Sequence, residues 1–388
     1  MGQPCMPNKK SNHMKLRSVL VCCLVVSVLF SSWSVYQFLQ DKCGGRQYTV
    51  QLCSKYKAGV ITGALCPKLC DEKTVQLTKC LHSDAGLKTF YSNSRVIKLH
   101  TITDHDFAEP KSGTSMEQFS AMVEGFLTAK LGKGNHKALL EHILNTADIN
   151  SDSKVTLAEA KTIWSLLQYN EFFMLNVFHD TELVPKLMTF CGDLYATEHI
   201  QYEKLYAKNS GIWDRLLPNQ FQWTLPSWKN RAKIAVGLLE FIMIAYHHED
   251  NGMFYMCDIG EYNMGYTGKY DVKFTDLSQV LPRSTLIEYM KAKPCSDSED
   301  CMYTKQCISN CNRDTKTCSG VPIRPNLHRA CVILREYIIV GAPPVIKQDL
   351  QKLLSRCLLL HTDLNDVEME HSLILNELKS LIWNQVDS

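Results

Sequence analysis

Apolar and polar positions alternate along this chain in three distinct rhythms, and each rhythm predicts a different element. From Ser18 to Gln40 no residue is charged, and the run passes through Val-Leu-Val-Cys-Cys-Leu-Val-Val-Ser-Val-Leu-Phe to Trp33 and Tyr36. About 20 apolar residues span a bilayer as a helix, and tryptophan and tyrosine suit its interface, so this run predicts a transmembrane helix. Helical spacing follows at Leu139, Leu140, Ile143, Leu144 and Ala147, then at Leu157, Ala160, Ile163, Trp164 and Leu167, and again over 170–178. A longer apolar helix is predicted over 227–247, with Ala232, Ile234, Ala235, Leu238, Leu239, Ile242 and Tyr246. Two more helices lie near the carboxyl end, one on Ile346, Leu350, Leu354 and Leu358, the other on Ile374, Leu378, Leu381 and Ile382. Period-two segments are few and short: Arg95-Val96-Ile97-Lys98, Leu183–Leu187 and Tyr270–Phe274.

Basic residues Lys9, Lys10, Lys15 and Arg17 precede the apolar run and Asp41 follows it, so the positive-inside rule puts the amino end in the cytosol and the body in the lumen. A cleaved signal peptide is the alternative, although the run is long for one and no small-x-small cleavage site is evident. Cysteine use agrees with a lumenal body. Of seventeen cysteines, Cys5, Cys22 and Cys23 lie in the tail or the apolar run, and fourteen lie beyond it. One cluster holds Cys43, Cys53, Cys66, Cys70 and Cys80; another holds Cys295, Cys301, Cys307, Cys311 and Cys318. The spacings are irregular, with no C-x2-C pair and no interleaved histidines, which favours disulfides over zinc. Connectivity stays open, and Cys191, Cys257, Cys331 and Cys357 fit either buried thiols or partners of these clusters. The net charge of +2, with scattered lysines and arginines, excludes a nucleic-acid-binding surface.

Chemistry concentrates in Asp258-Ile259-Gly260-Glu261-Tyr262-Asn263, followed by Asp276. Phosphoryl transfer by a protein kinase uses one carboxylate to accept the substrate hydroxyl's proton, an asparagine five residues on for one metal ion, and an aspartate on the next hairpin for the other. Asp258, Asn263 and Asp276 have that spacing, between the helix of 227–247 and the strand ending at Phe274. Upstream, Glu171 fits the helix glutamate that pairs with a phosphate-binding lysine, and Lys98, on a strand reading V-I-K, is the candidate partner. Lys111 is also available. No G-x-G-x-x-G phosphate loop occurs, and only Gly86 lies at a suitable place.

Between Lys98 and Glu171 lies Asp148-Ile149-Asn150-Ser151-Asp152-Ser153-Lys154-Val155-Thr156-Leu157-Ala158-Glu159, a match to the twelve-residue calcium loop of an EF-hand. Asp148, Asn150, Asp152, Thr156 and Glu159 supply side-chain oxygens, Lys154 a backbone carbonyl, and Val155 the inward apolar contact. Ser153 replaces the turn glycine, which requires a positive φ and weakens calcium binding. A degenerate EF-hand kept for packing is the alternative. No proline or glycine interrupts 157–175, so the helix leaving the loop is expected to be continuous with, or packed end-on against, the Glu171 helix, through which calcium would move Glu171 toward Lys98.

In their order, these features resemble the divergent protein kinase domain family, branch 1: cysteine-rich type II membrane proteins of the endoplasmic reticulum with an EF-hand in the small lobe. The likeness extends to Asn170-Glu171, Cys191-Gly192-Asp193-Leu194-Tyr195, Met256-Cys257-Asp258 and Met369-Glu370-His371-Ser372-Leu373-Ile374-Leu375-Asn376. It implies an α+β, two-lobed kinase-like fold behind an N-terminal transmembrane helix. The expected plan is a cytosolic tail (1–17), a signal anchor (18–40), a cysteine-rich segment (41–85), a small lobe (86–200) with the EF-hand at about 134–168, and a large lobe (201–388) with a cysteine-rich insertion at about 295–318. Asp258 becomes the catalytic carboxylate, Lys98 and Glu171 the ATP-binding pair, Asn263 and Asp276 the ligands of magnesium or manganese. Departures from working kinases are Met256-Cys257 for His-Arg, Gly260 for the catalytic-loop lysine, Asp276-Leu277-Ser278 without glycine, and no A-P-E. Two functions fit: a lumenal, calcium-regulated kinase acting on secretory-pathway proteins or glycans, or a pseudokinase serving as a calcium-responsive scaffold.

Overall fold

A computed structural model of the chain describes residues 24–33, 44–77, 80–83, 87–92, 95–100, 107–206, 225–248, 252–291, 293–362 and 367–386. The apolar run of 18–40 therefore falls only partly within it. Residues 24–33 are helical with exposed apolar side chains, and among the described residues no helix is long and apolar enough to cross a membrane. Residues 1–17, expected as a cytosolic tail, lie outside the described residues, as do Cys43 and Gly86.

The cysteine-rich segment opens with helices α1 (Gly45–Lys57) and α2 (Cys66–Cys70), followed by strands β1 (Cys80–Ser83), β2 (Leu87–Ser92) and β3 (Arg95–His100). Helices α3 (Met116–Leu131), α4 (Lys137–Ala147), α5 (Leu157–Leu167) and α6 (Asn170–Val177) intervene before β4 (Leu187–Cys191) and β5 (Leu194–Glu198). The five strands form one antiparallel sheet in the order β1-β2-β3-β5-β4.

Alternation along β3 and β5 decides what each face of that sheet does. Ile97 and Leu99, paired with Ala196 and Leu194, point toward Leu52, Ile61, Leu65 and Leu69 of the cysteine-rich segment and form a small buried core with them. Lys98, paired with Tyr195, takes the opposite face, toward α6. Disulfide Cys66–Cys191 joins the segment to β4, and Cys53–Cys70 closes it internally. The segment also reaches α5, where Thr162 Oγ1 accepts from Thr62 N at 3.0 Å.

Helix starts follow local chemistry. Ser115 and Gln118 form a capping box on α3, and Thr156 and Glu159 form one on α5. Of the two arrangements expected for 157–175, the single continuous helix is the one not formed. Helix α5 ends at Leu167, Tyr169 is extended (φ −87°, ψ 117°), and α6 begins at Asn170. The break lets Tyr169, Phe172 and Phe173 all enter the main core, each less than a tenth exposed, and burying one phenylalanine stabilises by about 1.5–3 kcal/mol. Leu183–Lys186, expected as the start of a strand, is a turn and loop leading into β4, which begins at Leu187. Pro185 has no N–H to offer a ladder there.

In the large lobe, α7 (Trp228–Tyr246) leads to β6 (Phe254–Met256), β7 (Met264–Tyr266), β8 (Val272–Phe274) and β9 (Val280–Pro282), then α8 (Arg283–Lys291). The cysteine-rich insertion forms a three-stranded sheet of β10 (Met302–Thr304), β11 (Cys307–Asn312) and β12 (Thr317–Pro322). Helices α9 (Asn326–Ile339), α10 (Pro344–Leu358) and α11 (Val367–Trp383) pack with α7 in the main core. The four cysteines left open by the sequence are all bridged: Cys66–Cys191, Cys257–Cys307 and Cys331–Cys357. Within the insertion, Cys295–Cys311 and Cys301–Cys318 complete the pairing of the second cluster.

Candidate active site

Lys98 and Glu171 are 73 positions apart in sequence, yet the Lys98 ammonium and a Glu171 carboxylate oxygen form a buried ion pair. The sheet's alternation brings Lys98 to this face, and the break at Tyr169 turns α6 so that Glu171 meets it. Tyr195, the neighbour of Lys98 across β5, donates its hydroxyl to Glu171 Oε2 at 2.8 Å. Burial raises the Glu171 pKa, opposed by the Lys98 ammonium and by the Tyr195 hydrogen bond. Lys111, the other lysine considered, is exposed in the turn before α3.

Lys98 also ties the small lobe to the Asp258–Asn263 loop. It donates to Thr275 O at 3.0 Å, and Thr275 N donates to Asn263 O at 2.8 Å. Asp276 is the next residue, half-buried, with Oδ1 accepting from Ser278 N at 2.8 Å. In the loop itself, Asn263 Nδ2 donates to Asp258 Oδ2 at 3.2 Å and the Tyr262 hydroxyl donates to Asp258 Oδ1 at 3.1 Å. Asn263 is 3% exposed, and its Oδ1 has no hydrogen-bond partner. A buried carbonyl oxygen left unpaired costs about 1–3 kcal/mol, and a divalent cation would satisfy it. The donor set of Asn263 Oδ1 and the Asp276 carboxylate thus fits a hard cation such as magnesium or manganese.

Three features of this site were not legible in the sequence. Asn170, one residue before Glu171, donates its amide to Ser278 O at 2.9 Å and Val280 O at 2.8 Å, so α6 grips the segment that follows Asp276. Tyr262 occupies the space beside Gly260, where a Cβ would meet the tyrosine ring at 2.7 Å. The position where working kinases carry a lysine is therefore covered by an aromatic ring. Finally, the insertion grips the loop on both sides of Asp258. Cys257 is bonded to Cys307, Thr304 Oγ1 donates to Cys257 O at 2.5 Å, and the Gln306 amide both accepts from Ile259 N and donates to Ile259 O, each at 2.9 Å. From behind, Asn326 accepts from Met256 N at 3.0 Å and donates to Phe254 O at 2.7 Å, while Arg329 donates to Met256 O at 2.8 Å. Asn170 had been quoted only as part of a motif, and nothing in local spacing marks Gln306.

The calcium-loop candidates remain together but apart from this cleft. Ser153 has φ 63° and Ser151 φ 58°. Asp148 accepts from the backbone N–H groups of Asp152 and Ser153 at 3.1 and 2.8 Å, Asn150 donates to Asp152, and Asp152 accepts from Lys154 N. Both Glu159 oxygens are engaged: Oε1 accepts from Ile149 N at 3.1 Å, and Oε2 accepts from Thr156 N and Oγ1 at 2.8 Å. Metal binding by Glu159 would compete with these bonds for the carboxylate's lone pairs. Among the described residues, Asp148, Asp152 and Glu159 do not converge to metal-ligand distance. Val155 and Ile149 pack against the main core.

Residues 163–359, which contain α6, the Asp258–Asn263 loop and the insertion, match the family model described as the protein-kinase domain of FAM69. This chain belongs to the FAM69 family. Residues 10–145 match a second model of that family, its N-terminal cysteine-rich part of the endoplasmic reticulum. The kinase-like reading and the cysteine-rich, endoplasmic-reticulum character of the family thus agree with the resemblance read from sequence. In FAM69 terms, the fold described above is a divergent kinase domain with its cysteine-rich segment seated on the outer face of the small-lobe sheet.

Proposed function

We propose that this FAM69 protein is an ATP-binding divergent kinase of the endoplasmic reticulum lumen, anchored by residues 18–40 with its body lumenal, using magnesium or manganese to phosphorylate secretory-pathway proteins or glycans. The observation that carries the reading is the continuous polar chain from Glu171 through Lys98 and Thr275 to Asn263, with Asp276 and Asp258 at its end. Lys98 would hold ATP phosphates, Asn263 and Asp276 would hold the metal ion, and the metal would supply charge neutralisation for the transferred group. Asp258, held by Tyr262 and Asn263, would accept the acceptor hydroxyl's proton.

One observation favours the pseudokinase alternative. The Tyr262 ring covers Gly260, the position where working kinases carry a lysine. Transition-state charge stabilisation is most of kinase catalysis, so its loss costs several kcal/mol. Incubation of the full chain with γ-labelled ATP and manganese separates the two readings. Label transfer is expected, with loss of at least about a hundredfold in Asp258→Asn. Nucleotide binding without any transfer would leave the pseudokinase.

Calcium would regulate this site through the loop of 148–159. Calcium drawing Glu159 away from Ile149 N and Thr156 would reshape the α4–α5 pair, which packs in the same core as α6. By linkage, ATP and calcium would then tighten each other equally. Running the same assay with and without millimolar calcium, on wild type and Glu159→Gln, reads this directly; equal values in all four conditions would make the loop purely structural.

The topology follows from Lys9 to Arg17 lying before the apolar run. Protease added to sealed microsomes is expected to trim only residues before Ser18. Digestion of the body would reverse the assignment.

A further inference from the structure

An acceptor hydroxyl must come within about 2.6–3.2 Å of the group that takes its proton. At Asp258 that place is filled from within the chain. The Tyr262 hydroxyl donates to Asp258 Oδ1 at 3.1 Å, while Asn263 Nδ2 donates to the other carboxylate oxygen at 3.2 Å. Among the described residues no other hydroxyl is hydrogen-bonded to Asp258.

Two features put the phenol there. Gly260 leaves room for its ring: a Cβ at that position would meet ring carbons Cε1 and Cζ at 2.7 and 2.8 Å. The loop backbone is tied on both sides of the tyrosine, by Leu205 N donating to Glu261 O at 3.0 Å and by Asn263 N donating to Gly260 O at 3.2 Å. Tyr262 is nevertheless 55% exposed, whereas the neighbouring Tyr255 and Tyr266 are buried. Of the three, Tyr262 alone combines an exposed ring with a hydroxyl on Asp258.

A phenol held this way is more than a cover for Gly260: it stands where an incoming acceptor would stand. Resting on the nucleotide site proposed above, we propose that Tyr262 is an internal phosphoacceptor, modified in cis by its own chain. The Tyr262 oxygen forms a bond to the γ-phosphorus of ATP as the bond from that phosphorus to the β–γ bridging oxygen breaks. The phenolic proton passes to Asp258 Oδ1, and ADP leaves with the electron pair of the broken bond. The product is a phosphotyrosine on the Asp258–Asn263 loop.

Phosphopeptide mapping of the full chain after incubation with ATP and manganese is the test, with fragment ions that separate Tyr262 from Tyr255 and Tyr266. Phosphate is expected on Tyr262. Diluting the protein about tenfold should leave the rate per chain unchanged, because acceptor and base share one loop. Asp258→Asn should lower the rate at least about a hundredfold. Gly260→Ala keeps the hydroxyl but displaces the ring, and should lower it about tenfold or more. Positions 258 and 262 fall on one tryptic peptide, between Lys233 and Lys269, so in a mixture of wild type and Asp258→Asn the modified chain is identified by mass. Wild type alone should carry the phosphate. Tyr262→Phe should lose the modification yet keep a metal-dependent thermal shift with ATP. Modification of the Asp258→Asn chain by wild type, a rate that rises with protein concentration, an undiminished rate in Gly260→Ala, or phosphate on other residues with Tyr262 bare would overturn the proposal. A wild-type chain that shows the thermal shift but carries no phosphate would overturn it and leave the nucleotide site standing; absence of the shift as well would overturn both.

Discussion

In Lys98→Met, the Glu171 carboxyl is expected to remain buried with its countercharge gone, destabilising the fold by about 3–5 kcal/mol, on the order of 10 °C in melting temperature. Glu171 is 2% exposed, and among the described residues the Tyr195 hydroxyl is the hydrogen-bond partner that remains. Burial raises the pKa of Glu171 even with Lys98 present, and removing the ammonium raises it further. A carboxyl whose folded pKa is raised contributes stability that is present below its unfolded pKa and lost as pH rises through the folded value. The variant should therefore melt closer to wild type at pH 5 than at pH 8. Adding Glu171→Gln should restore most of the loss, because an amide needs no countercharge and its oxygen can still accept from Tyr195. The hydrogen bond to Thr275 O stays lost, about 1 kcal/mol. A pH-independent defect, or no recovery in the double variant, would mean that Lys98 and Glu171 are not coupled as the geometry requires.

Legibility in the sequence followed the range of the interactions. The helix of Trp228–Tyr246 and the strand Val272–Phe274 were readable because each shows its own period, and Asp258, Asn263 and Asp276 were readable because kinase chemistry fixes their spacing along one stretch of chain. The end of α5 at Leu167 was not readable. No proline or glycine marks it, and what ends the helix is the burial of Tyr169, Phe172 and Phe173 in a core assembled from distant segments. The clamp by Gln306 and Thr304 was hidden for the same reason, since its partners lie 47 positions away. Cysteine clustering showed that disulfides form, but pairs such as Cys66–Cys191, 125 positions apart, depend on the sheet that brings the two strands of chain together. The covering of Gly260 by Tyr262 needed coordinates, because the sequence shows only a missing lysine.

The second large effect concerns the metal. Asp276→Ala removes the carboxylate placed beside Lys98 and Asn263 by the hydrogen bonds of Thr275, and with it one of the two ligands proposed for the metal ion. ATP carries its phosphates' charge into the cleft only with a divalent ion to neutralise it, so nucleotide affinity should fall with the metal site rather than with the fold. Because Asp276 is half-buried and its Oδ1 makes one local hydrogen bond, to Ser278 N, the variant should stay folded.

Whether Lys98, Asn263 and Asp276 form a metal-dependent nucleotide site is decided by the thermal shift of the full chain with millimolar ATP and either magnesium or manganese. Wild type is expected to be stabilised only when ATP and metal are both present, by about 2.7 kcal/mol if ATP stands at a hundred times its Kd, while Asp276→Ala shows no shift. A wild-type chain that shows no shift with either metal, or an Asp276→Ala chain that shifts as far as wild type, would contradict such a site.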